Sequence, residues 1–281
     1  MAKIITLCNQ KGGVAKTTTA INVAAYLALE NRKTLLIDID PQSNSTSGVG
    51  IDKHSIQNNI YHVLLGHAQI SEIIIKTQVE NLFLAPANIN LTGAEIELTT
   101  LIGREYKLKN ILQSIRGQYD FIIIDCPPSL SLLTINGLCA ADSVLIPIQC
   151  EYYALEGLVQ LMNTITLVRE NLNPGLVIEG ALLTMADFRT NLAKEVIAEV
   201  HKHLKHKVYK TVIPRSIKLT EAPSFGKPIA LYDKNSIGAI KYHELVKEML
   251  GDRSLPDTTP DIETCPHTRD KEEKEYDAKI G

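Results

Sequence analysis

The chain has 281 residues, 44% apolar and 22% charged, with a net charge of −3. These are the proportions of a water-soluble folded protein, and they exclude a strongly basic or acidic chain-wide balance. No apolar run reaches the ~18 residues of a membrane span, and Met1–Thr6 leads straight into an apolar strand without the separate regions of a signal peptide.

The first predicted strand covers 3–8 and the first helix 16–30. Between them, residues 11–18 read Lys-Gly-Gly-Val-Ala-Lys-Thr-Thr. A strand, a Gly-rich turn and a helix form the setting in which backbone N–H groups wrap a phosphate chain at a helix N-terminus. Gly12, Gly13, Val14, Ala15 and Thr18 belong to this cradle. Lys16 stands where a P-loop lysine reaches the outer phosphates, and Thr17 where a hydroxyl binds Mg²⁺. A strict Gly-x4-Gly-Lys-[Ser/Thr] loop would have Gly at 10 and 15, yet Gln10 and Ala15 stand there. Ala15 is expected to be right-handed, because a left-handed Ala costs roughly 1–2 kcal/mol.

The second predicted strand, 33–39, runs into Asp38-Ile39-Asp40-Pro41. Strand alternation puts Asp38 and Asp40 on one face. One can hold the metal shell or the loop while the other aligns an attacking water. Further strands are expected at 81–85, 120–125, 143–149, 176–183 and 207–213. Helices are expected at 92–101, 106–117, 130–139, 154–171, 190–204 and 236–250. Phe121-Ile122-Ile123-Ile124-Asp125 has the form of a Walker B strand, whose carboxylate serves Mg²⁺. Taken alone, either acidic strand end would equally suit a helix N-cap.

The strands are continuously apolar and interleave with helices. This predicts an α/β protein: a mostly parallel twisted sheet with helices on both faces. Cys8, Cys126, Cys139, Cys150 and Cys265 contain no Cys-x-x-Cys pair, which favours free, reduced thiols over a shared metal cluster. Residues 1–251 read as one domain. Residues 252–281 carry nine Asp/Glu, five Lys/Arg and three prolines, and are expected to form a poorly ordered acidic tail. The tail lacks the basic face and apolar stripe of a membrane-targeting helix.

Charge is unevenly distributed. From Arg189 to Lys218 there are eight Lys/Arg against Glu195 and Glu199. Such a run suits a surface for DNA phosphates, or simply a solvated helix face.

Four segments together resemble the ParA/Soj partition ATPases, within the MinD-related group with a deviant Walker A loop. They are Asn9–Thr18, Leu36–Gln42, Ile124–Ser129 and Pro214–Pro228. The resemblance spans about residues 2–250. It implies a P-loop ATPase using ATP and Mg²⁺, which forms an ATP-bound homodimer and binds nucleoid DNA without sequence preference. A ParB-type centromere-binding protein would reset it. It would be cytoplasmic and nucleoid-associated, with no membrane partner. The catalytic set would be Lys11, crossing to the partner's phosphates, with Lys16 and with Asp40 orienting the water. Thr17, Asp40 and Asp125 would serve the metal. The adenine would lie near Met185 and Pro214, with Arg215 or Ser216 beside it. Arg189 and Lys218 match the family's DNA-contacting positions. The rival readings are a MinD-like positioning ATPase, a nucleotide-switched regulatory or assembly ATPase, and a cluster-carrying reductase.

Overall fold

Six of the seven predicted apolar strands lie in one sheet. The structure, a computed structural model, describes residues 1–252 apart from 152–153, 188–189 and 205–206, and describes backbone alone at 154–156, 191–193 and 203. The strands are β1 (Lys3–Leu7), β2 (Thr34–Asp38), β3 (Ile75–Lys76), β4 (Leu82–Ala85), β5 (Phe121–Asp125), β6 (Ser143–Gln149) and β7 (Val177–Thr184). Their order is β3-β4-β2-β5-β1-β6-β7. All neighbours are parallel except β3 with β4.

The helices are α1 (Lys16–Leu29), α2 (Asn44–Gly48), α3 (Ile60–Leu64), α4 (Ile70–Ile73), α5 (Leu91–Glu97) and α6 (Lys107–Gln113). They continue with α7 (Leu132–Ala140), α8 (Ala154–Asn171), α9 (Asn191–Leu204), α10 (Ile217–Glu221), α11 (Ile229–Tyr232) and α12 (Ile237–Met249).

Strand alternation feeds two cores. Ile4, Leu35, Ile122, Ile124 and Val144 face the layer of α3 and α5–α9. Ile5, Leu36, Ile123, Leu145 and Leu182 face α1 and α12. Burial on both faces explains why these strands are apolar without interruption. Each such side chain contributes about 1.5–3 kcal/mol relative to exposure. After β1 the chain crosses to β2, and later returns past β1 to β6. The crevice at the C-terminal tips of β1 and β5 is therefore where a ligand of such a sheet belongs. There the register sets Leu7 opposite Asp125, and Asp38 opposite Asp125.

One expected strand is absent and one expected helix is shortened. Residues 207–213 form no strand. Only isolated bridges join Ala181 to Val208 and Ala186 to Pro214. Between them the Glu248 carboxylate takes the Lys210 and Thr211 amides, at 2.8 and 3.1 Å, and the Thr211 hydroxyl at 2.9 Å. A side chain from α12 thus interrupts the ladder, while the Tyr209 and Ile213 amides still bond the Ala181 and Leu183 carbonyls. The predicted helix 92–101 tightens into a 3₁₀ turn at Leu98–Thr100. The expected tail lies, but for Asp252, outside the described residues.

Candidate functional site: a phosphate loop facing buried carboxylates

The loop is held from both sides. Asn9 donates to Pro147 O (2.8 Å) and accepts from the Lys11 amide (3.0 Å). Val14 is buried, away from the cavity, and its carbonyl accepts the Thr184 hydroxyl at 3.1 Å. Gly13 has φ 76° and Ala15 φ 63°. Ala15 is therefore left-handed, contrary to the expectation from sequence. The turn needs a positive φ here immediately before α1 begins, and tertiary contacts on both sides hold an Ala in it. No described side chain caps α1, so its first-turn amides stay directed at the cavity.

Lys16 is only 6% exposed, and its Nζ donates to the Lys11 carbonyl at 3.2 Å. Burial pulls its pKa down, while Asp125, Cys8, Cys126 and Asp40 push it back up. A buried cation without a full counter-charge suits an anionic ligand.

The three carboxylates differ in use. Asp38 accepts from the Thr46 amide (2.8 Å) and hydroxyl (2.7 Å) and from the Asp40 amide (3.1 Å). Of the two acidic positions it holds the loop. Asp40 accepts from the Gln42 amide at 2.9 Å and lines the cavity. Asp125 accepts from Ser45 Oγ at 2.8 Å, and the nearby Thr17 side chain helps to hold its pKa down. Its Oδ1 is buried with no partner among the described residues. Burial first, then the neighbouring carboxylates, pushes Asp38 and Asp125 above the usual range. An unsatisfied buried carboxylate oxygen beside a threonine hydroxyl fits a hard divalent cation such as Mg²⁺.

The cavity measures about 420 Å³, ample for a nucleotide. Gly12, Gly13, Ala15, Lys16, Thr17 and Thr18 form its floor; Met185, Pro214, Arg215 and Ser216 form its far wall. These positions, named from sequence, come together. Lys11 does not line the cavity. Its Nζ lies 3.6 Å from Glu151 Oε2, and Arg215 sits 3.6 Å from the other oxygen of Glu151. Sequence reasoning missed Tyr242, which reaches the cavity and pairs with Thr19 Oγ1 at 3.0 Å. It also missed Ser45 and Thr46. Their segment, Asn-Ser-Thr-Ser-Gly, has no apolar period to announce a helix.

Lys218 does not line the cavity, although Ser216, Leu219 and Thr220 around it do. It is exposed on α10 and pairs with Glu221 at 3.0 Å. Lys194, Lys202, Lys207, Lys210 and Arg215 are exposed as well. Arg189 lies outside the described residues. Cys8, Cys126, Cys139 and Cys150 are free and buried; Cys265 lies outside the described residues. Among the described residues no helix is long and apolar enough to cross a membrane.

Loop, sheet order and acidic strand tips define the class: a P-loop ATPase on a doubly wound sheet. A family model described as AAA domain matches residues 2–178. The chain is 58% identical over 249 residues to the sporulation initiation inhibitor protein Soj of Bacillus subtilis (strain 168), covering 89% of this chain and 98% of that one. It is 53% identical to the chromosome partitioning protein ParA of Myxococcus xanthus (strain DK1622), covering 89% and 88%. Among solved structures, one described as cobyrinic acid a,c-diamide synthase of Mycobacterium smegmatis with bound ADP and magnesium superposes with a TM-score of 0.80. Identity is 39%, over 92% of this chain and 100% of that one. The chain belongs to the ParA/Soj family of partition ATPases.

Proposed function

We propose that this ATPase partitions DNA: ATP joins two chains, the dimer holds DNA without reading its sequence, and hydrolysis releases it. The observation that supports this most directly is the buried, unpartnered Asp125 oxygen beside Thr17 and Lys16, with Lys11 turned away from its own cavity.

In this reading the amides of residues 12–18 cradle the phosphates of ATP, and Lys16 contacts the β and γ oxygens. Thr17, Asp40 and Asp125 would hold Mg²⁺, which would supply charge neutralisation at the phosphate oxygens. Asp40 orients a water for in-line attack on the γ-phosphorus, with ADP leaving. Met185, Pro214, Arg215 and Ser216 enclose the base. Lys11 leaves Glu151 and reaches the partner's phosphates. The last step explains why its ammonium serves no phosphate site in its own chain. Catalysis is mostly positioning and charge stabilisation.

Lys218 and Arg189 contact DNA phosphates. Dimerisation doubles the basic surface, so a weak monomeric contact becomes firm in the pair. A ParB-type centromere-binding protein accelerates hydrolysis and returns the dimer to monomers. The protein works in the cytoplasm on the nucleoid, and residues 1–251 carry this activity as one domain.

Light scattering with a non-hydrolysable ATP analogue tests the reading. Wild type should double its mass and Lys11→Ala should stay monomeric while still binding nucleotide. A wild type that remains monomeric at saturation overturns it.

A further inference from the structure

One short helix hangs from two of the three strand-tip carboxylates, and the third holds the turn that leads into it. Asp38 takes the amide and hydroxyl of Thr46, Asp125 takes the hydroxyl of Ser45, and Asp40 takes the amide of Gln42 just before α2. Any cation or phosphate that changes the charge on this trio changes what holds α2 in place.

The other end of α2 meets a different part of the molecule. Gly50 (φ 88°) and Gly226 (φ 60°) touch backbone to backbone. A Cβ on Gly50 would lie 2.8 Å from the Gly226 carbonyl oxygen; one on Gly226 would lie 2.8 Å from Gly50 Cα. Gln78 spans the contact, donating to Gly226 O at 2.6 Å and to Val49 O at 3.3 Å. Gly226 closes the 3₁₀ turn Ala222–Phe225, which continues directly from α10, the helix of Lys218.

We propose that α2, the Gly50–Gly226 contact and Gln78 form the relay by which nucleotide occupancy sets the DNA affinity of α10, with Gln78 as the positioning residue that clamps it. The inference rests on the partition reading above. Two backbones touching without side chains between them have no rotamer to absorb a shift, so a displacement of α2 passes to the 222–226 turn. The coupling is reciprocal: nucleotide must raise DNA affinity by the factor by which DNA raises nucleotide affinity.

The test measures DNA affinity of the full chain with and without a non-hydrolysable ATP analogue, and affinity for a fluorescent ATP analogue with and without DNA. Gln78→Ala and Gly226→Ala should keep nucleotide affinity without DNA. The ratio of the two DNA affinities should fall about fivefold or more, the scale of an ordinary coupling, and the reciprocal ratio should fall equally. Lys218→Ala should differ by weakening DNA binding already without nucleotide, where Gln78→Ala should match wild type. Gln78→Ala removes only an exposed amide, so it stays informative should Gly226→Ala fail to fold. An unchanged ratio in Gln78→Ala, with wild type coupled, overturns the relay alone. A wild type with no ratio overturns the partition reading and the relay together.

Discussion

The strand-tip crevice and the basic face on α9 and α10 obey different physics. In the crevice, Lys16, Asp38, Asp40 and Asp125 are all buried, and the described hydrogen bonds position each of them. On the basic face, lysines stand in solvent with intrahelical carboxylates as partners, as Lys202 does with Glu199 and Lys218 with Glu221. Exposed pairs of this kind contribute ~0–1 kcal/mol and are screened by salt. A buried group acts through its immediate neighbours, and removing it leaves unpaired charge behind. An exposed cation acts as one part of a summed field and can be lost singly at small cost. The same kind of residue therefore has a large effect in one region and a graded one in the other.

The contrast breaks first, if it breaks, at Lys16. Lys16→Ala should lower ATP affinity by roughly 30-fold or more, the scale for truncating a buried charged contact; full affinity by titration with a fluorescent ATP analogue would remove the lysine from the phosphate site. Next comes Asp40→Ala, which should cut hydrolysis about 10²-fold or more, a larger loss than it causes in nucleotide affinity, as for a lost water-orienting group. Phosphate release at the wild-type rate would move that role elsewhere. Lys218→Ala should weaken DNA binding several-fold and flatten the slope of log affinity against log salt by about two, one phosphate contact from each protomer of the dimer. A salt slope that does not change would place DNA on another surface. Smallest is Ala15→Gly. Relief of the left-handed Ala should raise stability by about 1 kcal/mol in urea denaturation. No gain would mean that the loop compensates for the strain.

How much of this was legible depended on range. The Gly-Gly loop between Lys11 and Lys16, the run Phe121–Asp125 and the pair Asp38/Asp40 declare themselves in sequence, because phosphate binding needs particular residues at adjacent positions. Uninterrupted apolar strands likewise declare a doubly covered sheet. Ser45 and Thr46 stayed hidden, since a five-residue helix tied by side chains to distant strands has no period of its own. Tyr242 stayed hidden because nothing in an amphipathic helix says which face reaches a cavity. Residues 207–213 have a strand's composition, but the Glu248 carboxylate, 37 positions beyond Thr211, captures the amides of Lys210 and Thr211.

What the chain dictates locally is its family of chemistry: a loop for phosphates, acids for a metal and a water, and strands that must be buried on both faces. Folding alone decides the division of labour among like residues. Asp38 and Asp40 are indistinguishable in sequence, yet only the second faces the cavity. Ala15 is an ordinary helix former, yet the junction of β1 and α1 forces it left-handed. Local propensities amount to a few kcal/mol at most, and contacts between residues far apart in the chain outweigh them.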